Sequence, residues 1–311
     1  MTNLIAGQDC HLTVIYNPVA GQRRGRRFRA VLAALAARGI AVDLLETAGP
    51  GHATRLAQDL RERAVPPRLV VVAGGDGTIN EVANGLAGGP VALGIVPLGT
   101  ANVLALELGL PRDPAGIAAT IAAGACRSIH LGRVDSALGA RHFVMMAGVG
   151  YDAHVVAGVS PRLKRRVGKL AYVGEMVRQL RHFHFTPYRL AFDGAAPVEA
   201  ASAIFANGRH YGGAFVCAPA ADLAADRLEA CLFGRGGRLA AIHYGVMLGL
   251  DRVPRLSSVT LQPFRRLAVT GPAGDPIQGD GDVIGRLPAE IRLADTTLLV
   301  AAPVRPLLTE S

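Results

Sequence analysis

The stretch that most restricts the fold of this chain is Val70–Val82, which reads VVVAGGDGTINEV. Its leading valines leave no polar side, a composition that predicts a parallel β-strand buried on both faces. A helix is predicted directly afterwards, because apolar residues recur at the i, i+3, i+4, i+7 spacing in Ile79, Val82, Ala83 and Leu86. The chain must therefore pass from a buried strand into a helix through a very short turn.

The turn, Gly74–Gly77, has the sequence GGDG. Three glycines in four positions predict backbone with positive φ angles and an open approach to main-chain N–H groups. Thr78 and Glu81 have the T-x-x-E spacing of a capping box. A strand end that faces a helix N-terminus favours an anion, most often a phosphate. The alternative is a tight connection without a ligand, in which Asp76 only orders the turn.

The same alternation of strand and helix extends over residues 1–132. Further strands are predicted at 11–16, 40–47 and 91–97, and further helices at 26–39 and about 52–63. Repeated βα units predict a Rossmann-like, doubly wound α/β domain with its ligand site at the carboxyl ends of the strands.

The sequence pattern is different over residues 133–296, where short apolar stretches are separated by Gly, Pro and Asp. This pattern predicts an antiparallel β-sandwich, interrupted by helices at about 161–184 and 237–250. The predicted fold class is thus an N-terminal α/β domain followed by a C-terminal β-sandwich.

The composition restricts the partners. A net charge of +9 predicts anionic partners such as nucleotides or acidic lipid surfaces. Nucleic acid is disfavoured, because aromatic residues make up 5% of the chain, tryptophan is absent and no nucleic-acid-binding module is recognisable.

The four cysteines form no C-x-x-C pair, which argues against a zinc site or a disulfide framework and favours a reducing cytoplasm. The N-terminal sequence lacks the features of a signal peptide, and no apolar run reaches the length of a transmembrane helix. We therefore expect a cytoplasmic protein.

Two further loops follow predicted strands, at Asn17–Gly21 and Pro97–Asn102. In a doubly wound sheet both would lie beside the Gly74–Gly77 turn. Together they offer backbone N–H groups, an amide side chain and hydroxyls to a nucleotide, and Arg23 and Arg24 add positive charge.

Five motifs, NPVAG, GGDGTINEV, PLGTAN, GVGYDA and GDGD, occur in the order shown by the diacylglycerol kinase catalytic-domain family. The chain resembles this family over residues 11–303; the family includes bacterial lipid kinases and, more distantly, sphingosine and ceramide kinases. The resemblance implies a nucleotide-binding domain, a β-sandwich that binds the lipid, and an active-site cleft between them. It also implies that the segment 297–311 returns to the first domain.

The resemblance implies ATP and Mg²⁺ as cofactors. The nucleotide-binding residues that it implies are Asn17, Gly21, Arg23, Gly74, Gly75, Gly77, Thr78, Glu81, Gly99, Thr100 and Asn102. Asp76 would face the γ-phosphate and the acceptor, and Asp152 resembles the acidic residue near the lipid hydroxyl. Asp282 occupies the place of a glutamate that is the family's general base.

The chain departs from the family pattern at several positions. Asp282 is one methylene shorter than glutamate, so the loop must move inward or a water must intervene; alternatively, Asp280–Asp282 is an Asp-Gly hairpin with solvated carboxylates. Val103 and His130 stand where related enzymes often have aspartates. Asp226 is the carboxylate nearest to the family's structural magnesium site, whose sequence is disturbed here.

Residues 161–185 combine apolar residues at helical spacing with seven arginines or lysines and one glutamate. Such a basic amphipathic helix is typical of segments that lie on anionic lipid headgroups. We therefore expect peripheral association with the inner face of the membrane. The alternative is that the apolar stripe packs on the sandwich and the charges form a solvated face.

The function predicted is ATP-dependent transfer of the γ-phosphate to the primary hydroxyl of a diacylglycerol-, sphingoid- or ceramide-type membrane lipid. Two alternatives remain open at this point. One is a soluble enzyme similar to NAD kinases, which share GGDGT; the other is a catalytically weak lipid- or nucleotide-binding relative.

Overall fold

A computed structural model describes residues 11–21, 25–160 and 170–303 of the chain. The chain divides into two compact units. Unit 1 runs to Ile129 and resumes at Leu298, and unit 2 comprises His130–Thr297.

Unit 1 contains alternating strands and helices along the chain. In order these are β1 (His11–Tyr16), α1 (Pro18–Gly21), α2 (Gly25–Ala36), β2 (Ala41–Glu46), α3 (His52–Arg61), β3 (Leu69–Gly74), α4 (Asp76–Leu86), β4 (Ala92–Pro97), α5 (Val103–Glu107) and α6 (Pro114–Ala123).

The remaining elements belong to unit 2 except for the start of β5 and the end of β18, which lie in unit 1. In order these are β5 (Cys126–Ser136), β6 (Gly139–Phe143), β7 (Met146–Val149), α7 (Tyr151–Gly158), α8 (Leu170–His182), β8 (Tyr188–Phe192), β9 (Val198–Ala200), β10 (Ser202–Ala206), β11 (His210–Tyr211), β12 (Phe215–Val216), β13 (Leu228–Phe233), α9 (Arg238–Gly249), a 3₁₀ turn (Val253–Arg255), β14 (Val259–Phe264), β15 (Arg266–Thr270), β16 (Pro276–Gly279), β17 (Asp282–Arg286) and β18 (Ala289–Ala301).

The sheet of unit 1 is parallel, with the order β2-β1-β3-β4, and the end of β18 pairs with β4 in the same direction. Both β3 and β4 are buried along their whole length. One core cluster joins β1, β3 and β4 to α2 and α6, and α3 packs on α4. The predicted doubly wound α/β unit is confirmed.

Unit 2 contains an antiparallel six-stranded sheet with the order β14-β13-β10-β7-β16-β17. The strands β9, β8, β15 and the first part of β18 form a second antiparallel layer. A single apolar cluster takes side chains from both layers, including Phe205 and Phe264 from one and Leu190 and Leu267 from the other. The predicted antiparallel β-sandwich is therefore confirmed.

Some elements differ from the sequence predictions. The helices α1, α5, α6 and α7 were not predicted, and Pro18–Gly21 was expected to be a loop; α4 begins at Asp76, two residues before the predicted cap. The apolar stretch RHFVMMAGV at 141–149 has the composition of one continuous strand, but in the structure it is split between β6 and β7. The break is stabilised by Asp280, whose carboxylate accepts hydrogen bonds from the N–H groups of Val144, Met145 and Met146 at 2.7–3.1 Å.

In the described part of the chain, no helix is both long enough and apolar enough to cross a bilayer.

The contact between α3 and α4 explains a glycine at a position where alanine would ordinarily favour the helix. A Cβ on Gly85 would lie 2.5 Å from the Ala57 Cβ and 2.6 Å from the Thr54 carbonyl oxygen. By contrast, a Cβ on Gly245 in α9 meets no atom within 4 Å.

These surroundings predict opposite effects of the same substitution. Gly85→Ala is expected to lower the free energy of unfolding by about 1–3 kcal/mol, because overpacking separates the two helices. Gly245→Ala is expected to raise it by up to about 1 kcal/mol through helix propensity. Denaturant unfolding followed by circular dichroism measures both; equal effects of the two substitutions would contradict the close α3–α4 contact.

Candidate active site

The loops after β1 and β3 meet where the strand order of unit 1 reverses, the usual ligand position in such sheets. The Asn17 Nδ2 donates a hydrogen bond of 2.9 Å to the Thr78 Oγ1. The Asn17 Oδ1 accepts from the backbone N–H groups of Val19 and Ala20 at the start of α1. Asn17 therefore fixes one loop to the other.

The glycines of the turn allow its backbone to lie close to the loop after β4 and to the first turn of α4. A Cβ on Gly99 would lie 2.6 Å from the Gly75 Cα, and a Cβ on Gly74 would lie 2.7 Å from the Thr78 Cβ. The prediction of positive φ angles in the turn is wrong: Gly74, Gly75 and Gly77 all lie outside that region, and Gly75 has φ −96°. The missing side chains make room for the neighbouring loop and helix.

Asp76 connects this turn to the loop after β4. Its Oδ2 accepts from the Asn102 N–H at 2.9 Å and its Oδ1 from the Val103 N–H at 2.6 Å, at the start of α5. A carboxylate at a helix N-terminus also interacts favourably with the helix dipole. Asp76 thus sets the position of the loop Pro97–Asn102.

Asn102 holds the same loop from within. It adopts the left-handed conformation with φ 51°, which asparagine tolerates better than most residues. Its side chain accepts from the Gly99 N–H at 2.7 Å and donates to the Gly99 carbonyl at 2.8 Å. Thr100, at the exposed tip of this loop, is open to solvent.

The predicted capping box between Thr78 and Glu81 is wrong. The residue that caps α4 is Gly75, which has no side chain to accept from the helix N–H groups. Glu81 points instead to the start of α3, where its carboxylate accepts from the N–H groups of Gly51 at 2.9 Å and Ala53 at 3.1 Å.

The structure therefore brings together most of the nucleotide-binding residues predicted in unit 1. These residues lie in one group of loops, where they contact one another or occupy adjacent positions. They are Asn17, Gly21, Gly74, Gly75, Asp76, Gly77, Thr78, Gly99, Thr100 and Asn102. Arg23 and Arg24 lie outside the described residues.

The Asp76 hydrogen bonds predict a structural cost of substitution. Asp76→Asn places an NH₂ group against one of the two backbone donors, so we expect a loss of about 1–3 kcal/mol in the free energy of unfolding. Asp59→Asn, on the exposed side of α3, is the matched control and should change stability by less than about 0.5 kcal/mol. Unfolding in urea measures both, and equal stability of the two variants would contradict this role of Asp76.

In unit 2, Asp152 lies in the first turn of α7 in a protected environment. The Tyr211 hydroxyl donates a hydrogen bond to its Oδ1, and its Oδ2 is shielded from solvent. Burial raises the pKa of Asp152, whereas hydrogen bonding by Tyr211 and Gln278 opposes that rise in pKa. The two neighbours therefore favour the carboxylate form of Asp152 against the effect of burial.

No sequence pattern pointed to Tyr211 and Gln278. They lie on β11 and β16, far from Asp152 along the chain, and neither belongs to a motif used above. Burial, followed by the Asp152 charge, raises the pKa of Tyr211 well above its usual range, so Tyr211 remains a hydrogen-bond donor at neutral pH.

The Asp280–Asp282 segment is a two-residue hairpin turn, with Asp280 at φ 50° and Gly281 at φ 86° between paired Gly279 and Asp282. The alternative of an Asp-Gly hairpin is therefore correct for the backbone. Its expectation of solvated carboxylates is wrong for Asp280, whose carboxylate accepts three backbone hydrogen bonds. Asp282 is exposed at the start of β17.

Asp226, the predicted metal ligand, lies in an exposed position beside a basic side chain. Its Oδ2 lies 3.2 Å from the Arg265 guanidinium. Within residues 11–21, 25–160 and 170–303, no group of three or more His, Cys, Asp or Glu side chains is placed to hold a metal ion.

The predicted membrane segment 161–185 is described only from residue 170 onward. In α8, Val173 and Val177 are more than half exposed, so the alternative that the whole apolar stripe packs on the sandwich is wrong for these two residues. Glu175 is buried and accepts from the Arg178 guanidinium.

A doubly wound α/β unit with glycine-rich loops at the strand ends, joined in sequence to a β-sandwich, defines a class of nucleotide-dependent enzymes. Comparison with known families identifies this class. Residues 11–134 match the diacylglycerol kinase catalytic domain, and residues 145–302 match the YegS C-terminal NAD kinase beta sandwich-like domain.

Individual relatives agree with this result. The chain is 30% identical to a diacylglycerol kinase of Mycobacterium tuberculosis over 94% of its length and 95% of the relative. It is 31% identical to a probable lipid kinase YegS-like protein of Xanthomonas campestris over 76% of its length and 82% of the relative. The chain belongs to the diacylglycerol kinase catalytic-domain family and is a lipid kinase.

A solved structure supports the fold. The crystal structure of a diacylglycerol kinase from Bacillus anthracis superposes with a TM-score of 0.74 at 22% identity, covering 96% of this chain and 98% of that chain.

Proposed function

We propose that this lipid kinase transfers the γ-phosphate of ATP to the primary hydroxyl of a membrane lipid, with diacylglycerol as the first candidate acceptor. Sphingoid and ceramide lipids are the other acceptors to test. The names of the relatives favour diacylglycerol. The observation that carries the proposal is the N-terminus of α4.

The first N–H groups of any helix lack partners within the helix. In unit 1, side chains satisfy such groups at α1, α3, α5 and α6, through Asn17, Glu81, Asp76 and Asp113 respectively. The cap of α4 is a glycine, which supplies no acceptor. The N-terminus of α4 is thus open to an external anion at the carboxyl ends of β1, β3 and β4.

The surrounding loops fit a nucleotide phosphate. Gly75 and Gly99 bring the two loops into close backbone contact beside this N-terminus, and Asn17 and Thr78 add an amide and a hydroxyl. Phosphoryl transfer depends mainly on positioning and charge stabilisation, which backbone N–H groups supply. We assign Glu81 a positioning role, because it connects α4 to α3.

The residues present also fit a magnesium ion that arrives with ATP. Mg²⁺ is commonly held by one or two carboxylates together with substrate phosphates, rather than by a cluster of protein ligands. Each Asp76 oxygen accepts one backbone hydrogen bond and has further acceptor capacity, so Asp76 is the residue that would hold the ion. When bound, the ion would lower the repulsion between the phosphates.

The lipid hydroxyl needs a carboxylate to accept its proton as the new bond to phosphorus forms. Asp76 is our first candidate for this base and Asp282 the second. We propose that Asp152 orients the lipid hydroxyl, with Tyr211 and Gln278 holding its carboxylate.

A lipid-panel assay tests the function. Purified protein with Mg-ATP should phosphorylate at least one of diacylglycerol, sphingosine or ceramide, and Asp76→Asn should lower kcat at least about 100-fold. Phosphorylation of NAD instead would favour the soluble alternative, and ATP binding without turnover of any acceptor would favour a binding protein. The stability of Asp76→Asn must be measured alongside, so that unfolded protein is not read as lost catalysis.

Tyr211→Phe tests the acceptor side. Loss of the hydroxyl donor should raise the pKa of Asp152 further, so less carboxylate is ionised at a given acidic pH. The acid limb of the kcat/KM profile should move to higher pH, with activity largely recovered above it. Tyr188→Phe, which removes a similar hydroxyl bound to Asp275 at 2.6 Å, is the control and should leave that limb in place. If the acid limb of the kcat/KM profile stays in place in Tyr211→Phe, the proposed role of Tyr211 in holding the Asp152 carboxylate is ruled out.

A further inference from the structure

The helix α9 has an unusual arrangement, in which the apolar side chains face outward. None of its residues is buried. It is attached through Tyr244, whose ring packs on Phe233 with a centroid distance of 4.8 Å and whose hydroxyl contacts the Ser258 carbonyl at 3.3 Å.

The opposite face carries a stripe of large apolar residues. Leu239, Ile242 and Val246 are 84%, 49% and 53% exposed, and Leu250, directly after the helix, is 56% exposed. At 3.6 residues per turn these four positions fall within an arc of roughly 80°. We call these four residues the α9 stripe. Such a stripe on a helix surface normally marks an interaction site.

Basic residues flank both ends of the stripe. Arg235 and Arg238 lie at its start, Arg252 and Arg255 follow its end, and all four are exposed. Asp251 is the acidic residue within 234–256, and its carboxylate accepts a hydrogen bond from the Val216 N–H at 2.9 Å. An apolar centre between arginine-rich ends is complementary to a bilayer with anionic headgroups.

Neighbouring features extend this surface. An open depression of about 520 Å³ beside the first turns of α9 is lined by Arg235, Gly236, Leu239, Ala240, His243 and Tyr244. The Arg238 guanidinium donates to the Arg181 carbonyl at 3.3 Å, which joins the start of α9 to the end of α8. In α8 itself, Val173 and Val177 are also exposed.

A second copy of the chain fits this surface poorly. If two stripes paired about a twofold axis, arginines at the ends of one helix would face arginines of the other, whether the helices ran parallel or antiparallel. Like charges placed opposite one another oppose such pairing. A lipid surface supplies the opposite charge.

We propose that the α9 stripe inserts into the headgroup region of an anionic bilayer and holds unit 2 on the membrane. The choice of lipid over protein rests in part on the proposed function, since a lipid kinase must reach its acceptor. The surface itself is defined by the exposed apolar residues and the flanking arginines.

Vesicle sedimentation without ATP tests the proposal. The protein should bind phosphatidylcholine vesicles that contain about a third phosphatidylglycerol more tightly than pure phosphatidylcholine vesicles. The triple variant L239S/I242S/V246S should bind the anionic vesicles roughly tenfold or more weakly. The control V65S/L138S/V198S changes three exposed apolar residues elsewhere and should bind like the unmodified protein.

A second variant separates charge from insertion. R252Q/R255Q should lose most of the preference for anionic vesicles while it retains weak binding to neutral ones. Thermal unfolding should be unchanged in both variants, because the substituted side chains are exposed.

Three results would overturn the proposal: no vesicle binding by the unmodified protein, undiminished binding by the stripe variant, or a self-associated protein that the stripe variant converts to monomer. Activity on detergent-dispersed lipid keeps this test separate from the proposed function. A stripe variant that binds vesicles normally refutes docking even if it is an active kinase, and an inactive protein that docks through the stripe refutes only the reaction.

Discussion

The interaction on which the candidate site depends is the pair of hydrogen bonds from the Asn102 and Val103 N–H groups to the Asp76 carboxylate. It joins the turn after β3 to the loop after β4, and it can form only because Gly75 and Gly99 let the two backbones come close together. The same aspartate therefore stabilises the loops and stands at the position where phosphate is proposed to bind. The position of the loops and the proposed phosphate chemistry thus depend on the same residue, Asp76.

Much of the fold could be predicted from the sequence, because its signals are local. The valine-rich β3 has no polar side, and the helical spacing after it places Ile79 and Val82 in the core as expected. The segment 237–250 was likewise predicted as a helix, and α9 occupies it. Spacing reveals an apolar stripe, but which face packs inward depends on contacts such as that of Tyr244 with Phe233.

The parts that could not be predicted depend on partners distant in sequence. Thr78 and Glu81 fit a capping box, yet their partners are Asn17, 61 residues away, and the start of α3. Tyr211 reaches Asp152 across 59 residues. A local pattern shows which groups need a partner, whereas only the folded chain decides which partner each one finds. Site motifs were therefore easier to recognise than the contacts that orient them.

The strand β18 starts in the sandwich and ends beside β4, so unit 1 is built from two separate parts of the chain. During synthesis the edge of β4 has no neighbour on that side until nearly all of unit 2 has been made. Such an edge invites pairing with other chains. Unit 1 therefore completes its sheet last, and a fragment ending after β5 would leave the β4 edge unpaired where the intact protein has a paired strand.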